Sequence, residues 1–280
     1  MEKYFPMRFA HRGLCQHAPE NTLGAFQAAV EYGCEGIELD VRLSKDGIPM
    51  VVHDKNLNRL SAGAQPGDIC DLTAEEIQNT VIPYAGNLLP YDPPVPYSET
   101  LGSVAHYTEE ELAKFRAEDK RVTKISTFAE IDEWYSTVKE DVTIEVELCS
   151  DGLVLPMYEI VRNSPNRERY IFFSGNRDTN EEIQALIKKH GKPEWLRLGA
   201  NIRWLNEENL AFLADAQLWE VGLNDQHFTA EDVKFLAEKD IKVFSNLGDY
   251  PEWWTAINEY GVTAFKTNYA EAYTDWKDKQ

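Results

Sequence analysis

The 280-residue chain is poor in sulfur, with four cysteines and four methionines, and short of positive charge, with 28 Lys and Arg against 48 Asp and Glu. Each shortage excludes something. A net charge of −20 leaves little cationic surface to neutralise a phosphate backbone or an anionic bilayer, so neither a nucleic-acid partner nor stable membrane insertion is expected. No stretch reaches the ~18 consecutive apolar residues of a membrane-spanning helix. The opening Met1–Phe9 holds no apolar run of the kind a secretory leader carries, and a cytoplasmic protein is expected. Cys15, Cys34, Cys70 and Cys149 are scattered without a C-x-x-C spacing, which reads as four reduced thiols rather than a disulfide framework or a zinc site. With 43% hydrophobic and 27% charged residues, an intrinsically disordered chain is excluded as well.

What is present is an alternation. Short β-rich runs at Met7–Ala10, Gly36–Val41, Met50–His53, Thr143–Leu148, Tyr170–Ser174, Leu196–Ala200, Trp219–Leu223, Lys242–Ser245 and Ala264–Thr267 are separated mostly by amphipathic stretches. That is the pattern of βα units around a parallel sheet. Capping boxes open several of the helices, at Thr108 with Glu111, Thr127 with Glu130 and Thr229 with Asp232, and Gly33 is placed to end the helix near Thr22–Tyr32. Nine strands exceed a closed barrel by one, and Asp46-Gly47 accounts for the surplus. A two-residue hairpin loop there pairs Lys45 with Ile48 and, further along, Asp40 with His53. Met50–His53 is then the return arm of a hairpin, and eight parallel strands remain for a (β/α)8 TIM barrel spanning residues 1–280 as one domain. The region of about 80–125, rich in proline at Pro83, Pro90, Pro93, Pro94 and Pro96, breaks the alternation and reads as an insertion over the barrel.

Residues able to do chemistry gather at predicted strand ends, where barrels of this kind carry their sites. His11-Arg12-Gly13 follows the first strand. Glu38 and Asp40 lie two apart on the second, so both side chains share a face, and Glu145 and Glu147 repeat the arrangement on a later one. His53-Asp54 ends the hairpin arm. Inward carboxylates repel unless a cation lies between them, and an all-oxygen set suits Mg²⁺, Ca²⁺ or Mn²⁺. A metal, a cation for an anionic substrate and two imidazoles together point to hydrolysis of a phosphate ester.

The segments His11-Arg-Gly13, Pro19-Glu-Asn-Thr22, Gly33-Cys-Glu-Gly-Ile-Glu-Leu-Asp-Val41, Lys45-Asp-Gly47 and Val51-Val-His-Asp54 resemble, in order, the signature of the glycerophosphodiester phosphodiesterase family. The resemblance implies a TIM barrel with a small insertion after the second histidine, and metal-dependent cleavage of glycerophosphodiesters to glycerol 3-phosphate and an alcohol. Carried over by position, His11 and His53 are the acid–base pair, Arg12 contacts phosphate, and Glu38 and Asp40 are metal ligands. The family's third ligand lies in a strand reading roughly Asn-x-Glu-x-Lys, aligned here with Glu145-Val-Glu-Leu-Cys149. Glu147 is the preferred ligand, because Pro156 and Glu159 then fall at offsets seen in one branch of the family; Glu145 is the alternative. With Glu147 as ligand, Cys149 stands where the family has lysine. Thr267-Asn268 stands for the family's Thr-Asp, and Val243-Phe-Ser-Asn246 for its tryptophan-containing strand. A lysophospholipase D or sphingomyelinase D-like enzyme of the same barrel type, with Leu88-Leu89-Pro90-Tyr91 as an apolar lip, and a non-catalytic binding relative are the alternatives. Trp204, Trp219, Trp253 and Trp254 are candidates for a leaving-group pocket, though packing is the expected role for most of them.

Overall fold

The computed structural model describes residues 4–61, 63–82 and 124–280. Eight parallel strands close into a barrel: β1 (Met7–His11), β2 (Gly36–Leu43), β4 (Thr143–Leu148), β5 (Tyr170–Phe173), β6 (Arg197–Arg203), β7 (Glu220–Leu223), β8 (Lys242–Ser245) and β9 (Ala264–Thr267), with β1 bonded to both β9 and β2. The ninth, β3 (Pro49–Val51), pairs antiparallel with β2, as the hairpin requires, and bridges Thr127 through Met50. The insertion expected at about 80–125, the Thr108–Glu111 box and the Leu88–Tyr91 lip lie almost wholly or entirely outside the described residues.

Alternation along the strands sorts side chains to two environments. Ile37, Leu39, Val41, Ile144, Val146 and Leu148 face outward and join the main hydrophobic cluster beneath the helices. A second cluster seals the β7–β9 side, where Trp253 and Trp254 are packed. Inside, Phe9, Ile171, Phe244 and Ala264 plug one end of the barrel. The Phe9 ring lies where a Cβ on Gly36 would be, 2.4 Å away, so this strand must begin with glycine. The helices α1 (Leu23–Tyr32), α2 (Ala74–Gln78), α3 (Phe128–Tyr135), α4 (Val154–Val161), α5 (Arg177–His190), α6 (Glu207–Ala216), α7 (Ala230–Ala237), α8 (Pro251–Tyr260) and α9 (Ala270–Lys277) flank the barrel in chain order. The boxes at Thr127–Glu130 and Thr229–Asp232 are formed, and Gly33 caps α1 at φ +83°. Among the described residues no helix is long and apolar enough to cross a membrane, and all four cysteines are unbridged.

The hairpin differs from expectation by one residue. β3 pairs Val51 with Val41, Met50 with Arg42 and Pro49 with Leu43. Ser44 N donates to Ile48 O at 3.0 Å, so Lys45, Asp46 and Gly47 form a three-residue loop with Gly47 at φ +79°. A left-handed third residue is the usual closure of such a loop, and the register shifts accordingly. Asp40 therefore lies across from Val52, whose N–H it accepts at 2.9 Å. His53 stands past the last paired residue of β3.

Candidate active site

At the C-terminal end of β1 the backbone turns sharply. Arg12 has φ +58° and Gly13 φ +85°. A Cβ on Gly13 would meet that of Ala25 at 2.7 Å, so glycine alone fits. The left-handed Arg12 costs about 1–2 kcal/mol and is held by two bonds: its N–H donates to Glu38 Oε2 at 3.0 Å, and its carbonyl accepts from Asn21 N at 2.9 Å. Its guanidinium meets Glu20 Oε1 at 3.0 Å and Asp40 Oδ2 at 3.1 Å. Asn21 donates to that same Asp40 oxygen at 2.8 Å and accepts the Asp40 N–H at 3.1 Å. His11 is buried beside them, donating from Nδ1 to Asn268 Oδ1 at 2.7 Å, with Nε2 3.9 Å from Glu38 Oε2. Burial, and next the Arg12 charge, hold its pKa well below the usual imidazole value.

The acids respond to different surroundings. Burial pushes Asp40 upward, but Arg12, the two histidines and the Asn21 hydrogen bond outweigh it and bring the pKa to about 2. Glu38 is pushed well up by burial and by the charge of Asp40, and Glu147 moves up for the same two reasons. The register pairs Glu38 with Glu145 and Asp40 with Glu147 on β2 and β4. Donor atoms of Asp40, Glu147 and Cys149 all lie within 4.8 Å of one another, and Cys149 Sγ is 3.6 Å from Asp40 Oδ1. Burial, then Glu147 and Asp40, drive the Cys149 pKa well up and keep the thiol neutral. Carboxylates crowded in this way, with surplus negative charge and oxygen donors, suit a divalent cation.

His53 closes the other side. Its Nδ1 donates to Asp54 Oδ1 at 2.9 Å. Arg59 joins Asp54 Oδ2 at 2.7 Å to Glu20 Oε2 at 2.7 Å, and through Glu20 the network reaches Arg12. Burial raises Asp54, yet the hydrogen bonds from His53 and Arg59 win and hold it well below the carboxylate range. His11, Arg12, Glu38, His53 and Glu147 all line one pocket of about 220 Å³. Its far wall is polar too, with Asn176, Asn201, Arg203, Asn246 and Lys266, and Asn246 is fixed by bonds to Asn201 at 3.0 Å and Asn224 at 2.8 Å.

The sequence profile of the Glycerophosphoryl diester phosphodiesterase family matches residues 11–272. The chain belongs to that family. Similar curated proteins include a glycerophosphodiester phosphodiesterase of Caldanaerobacter subterraneus subsp. tengcongensis, 49% identical over 69 residues, and human glycerophosphodiester phosphodiesterase 1, 46% identical over 69 residues. Each match covers 25% of this chain, and it spans only 28% and 20% of the two relatives. Solved structures share the fold over its whole extent. A glycerophosphodiester phosphodiesterase from Thermotoga maritima superimposes with TM-score 0.64 at 23% identity, covering 99% of this chain and 99% of that one. A phosphodiesterase from Oleispira antarctica, solved with its product sn-glycerol-3-phosphate, gives 0.73 at 21% identity, covering 98% and 97%.

Within this member of the glycerophosphodiester phosphodiesterase family, the residues expected to act together are brought together. Glu147 lines the pocket with Glu38, whereas Glu145 is fully buried and paired with Lys266 Nζ at 2.8 Å. None of the four tryptophans lines the pocket: Trp253 and Trp254 are core, Trp219 packs on Phe244, and Trp204 is exposed. Sequence reasoning left Glu20, Asn21, Asp54, Arg59 and Lys266 without roles. Glu20 and Asn21 had a signal in the Pro19–Thr22 segment. So had Lys266, the one charge in the four-residue strand Ala264–Thr267. Arg59, which bridges nearby Asp54 to distant Glu20, had none, and neither had Asn201 of β6 or Asn246 just past β8, which meet only when the barrel closes.

Proposed function

We propose that this protein hydrolyses glycerophosphodiesters to glycerol 3-phosphate and an alcohol, using a divalent cation, Mg²⁺ or Ca²⁺ with Mn²⁺ as a further candidate, held by Glu38, Asp40 and Glu147. The observation that carries the reading is the convergence of two imidazoles, an arginine and the acids Glu38 and Glu147 on one pocket, with Asp40 set directly behind them against Arg12 and Glu147. The bound ion supplies Lewis-acid stabilisation of charge on the phosphoryl oxygens. Arg12 adds a fixed positive charge beside them. His11 is the base: its Nδ1 proton is committed to Asn268, burial keeps the ring neutral, and the Nε2 lone pair is left to take a proton from the nucleophile. His53, fixed through Nδ1 by Asp54, protonates the leaving oxygen from Nε2. The polar far wall suits a hydrophilic substrate, which favours this reading over the lipid phosphodiesterases. Metal-dependent turnover of glycerophosphocholine and of bis(p-nitrophenyl) phosphate tests it. Binding of phosphodiester without turnover in the presence of each metal would identify a non-catalytic relative instead.

A further inference from the structure

Lys266 is a lysine in the interior of the barrel, 4% exposed, on the strand that leads directly to the Asn268 partner of His11. Among the described residues its ammonium makes one ion pair, with Glu145, and it rests 3.8 Å above the Phe173 ring. An ammonium has three donors, so this arrangement leaves capacity unused. Lys266 also lines the same pocket as His11, Arg12, Glu38, His53 and Glu147. The pocket's other interior cation, Arg12, is already engaged with Glu20 and Asp40. β4 offers no cation at the pocket, since Cys149 stands two residues past Glu147 and a cysteine carries no positive charge.

A buried charge is costly unless matched. Burial alone would lower the Lys266 pKa, but the acids around it, Glu145 at 2.8 Å first, raise it above the usual lysine value. A lysine serving only to neutralise Glu145 would need no access to the pocket. We propose that Lys266 is a second phosphate-binding cation of the site, donating an N–H from β9 to a non-bridging oxygen of the phosphodiester. This rests on the function proposed above and adds a catalytic residue to it.

The test separates phosphate binding from simple charge balance. Metal-loaded wild type, Lys266→Met and the charge-balanced Lys266→Met/Glu145→Gln double variant are titrated calorimetrically with sn-glycerol 3-phosphate. Both variants are expected to bind roughly 10- to 100-fold more weakly, the range that hydrogen bonds to charged groups contribute. If the double variant binds like wild type, Lys266 merely balances Glu145 and the proposal is overturned. The unmutated protein gives a second readout that survives misfolding of either variant. Its Lys266 Nζ resonance, assigned through Lys266→Arg, should shift on adding glycerol 3-phosphate, and an unmoved signal at saturation overturns the proposal. Hydrolysis by wild type with product binding indifferent to Lys266 would defeat this inference alone. Wild type that neither hydrolyses phosphodiesters nor binds product would defeat the proposed function, and this inference with it.

Discussion

Two clusters of buried charge share the barrel, and they are built on opposite plans. In the first, Arg12, Glu20, Arg59, Asp54, His53, Asn21 and Asp40 form a continuous chain in which each charge meets a partner at 2.7–3.1 Å. In the second, among the described residues, Lys266 has one ion-pair partner, Glu145 has only Lys266, and the fully buried Glu220 carboxyl has none. The carboxyl of Glu220 folds over Gly199, where a Cβ would lie 1.9 Å from Oε1. A network of linked ion pairs holds geometry fixed, which is what the proposed roles of the imidazoles and the guanidinium require. A sparsely paired one leaves donor capacity on Lys266, on which the phosphate contact proposed above rests.

The largest effect is expected where the two clusters meet, at the carboxylates around Asp40. Chelation should abolish phosphodiesterase activity, Mg²⁺, Ca²⁺ or Mn²⁺ should restore it, and Glu38→Ala should cost on the order of a thousandfold or more while leaving the fold intact by circular dichroism. Activity that survives exhaustive chelation would mean the carboxylates do not hold a metal. Next come the imidazoles. His11→Ala and His53→Ala should each lower turnover of glycerophosphocholine by about 10²–10⁴-fold. On a p-nitrophenyl ester, whose leaving group needs little protonation, the His53 variant should recover much of its rate and the His11 variant should not. Equal losses on both substrates would remove the division of labour.

The division between the clusters is sharpened by comparing neighbours on β4. Glu147→Gln should weaken metal binding more than Glu145→Gln in calorimetric titration, because Glu147 faces the pocket and Glu145 faces Lys266. The reverse order would assign the ligand to the lower cluster. In the first cluster, Arg59→Ala should destabilise the fold by about 3 kcal/mol, since it strips a shared partner from Glu20 and Asp54; denaturant unfolding measures this. The smallest effect is expected at Glu220. Burial, then the Glu145 charge, raises its pKa well above the ordinary value of 4.5. The folded state therefore holds a proton that the unfolded chain releases, and stability falls as pH rises from about 4.5 toward the raised value. Glu220→Gln should flatten that decline and leave the melting temperature at pH 7 equal or slightly higher. A clear destabilisation at pH 7 would reveal a partner for Glu220.

Legibility followed the distance over which residues interact. The nine strands were readable to within a few residues because alternation and turn dipeptides are local. The motifs that hold His11, Arg12, Glu38, Asp40 and His53 stood out because they are contiguous, and the positive φ of Arg12 and Gly13 explains why one of them contains glycine. The hairpin register was misjudged by one residue because Asp46-Gly47 is compatible with loops of two or three residues. Only the hydrogen bond between Ser44 and Ile48 selects the longer one.

The sequence by itself thus determined the barrel, the order of its strands and the residue types at the ends of β1, β2 and β3, since each depends on periodicity or on spacing within a few tens of residues. Tertiary structure alone decided that Glu147 faces the pocket while Glu145 turns to Lys266, that Asn268 orients His11 from 257 positions away, and that Arg59 ties Asp54 to Glu20. Closing the barrel brings β9 beside β1, and the strength of a buried charge depends on which groups that closure places around it, information that no local stretch of the chain contains.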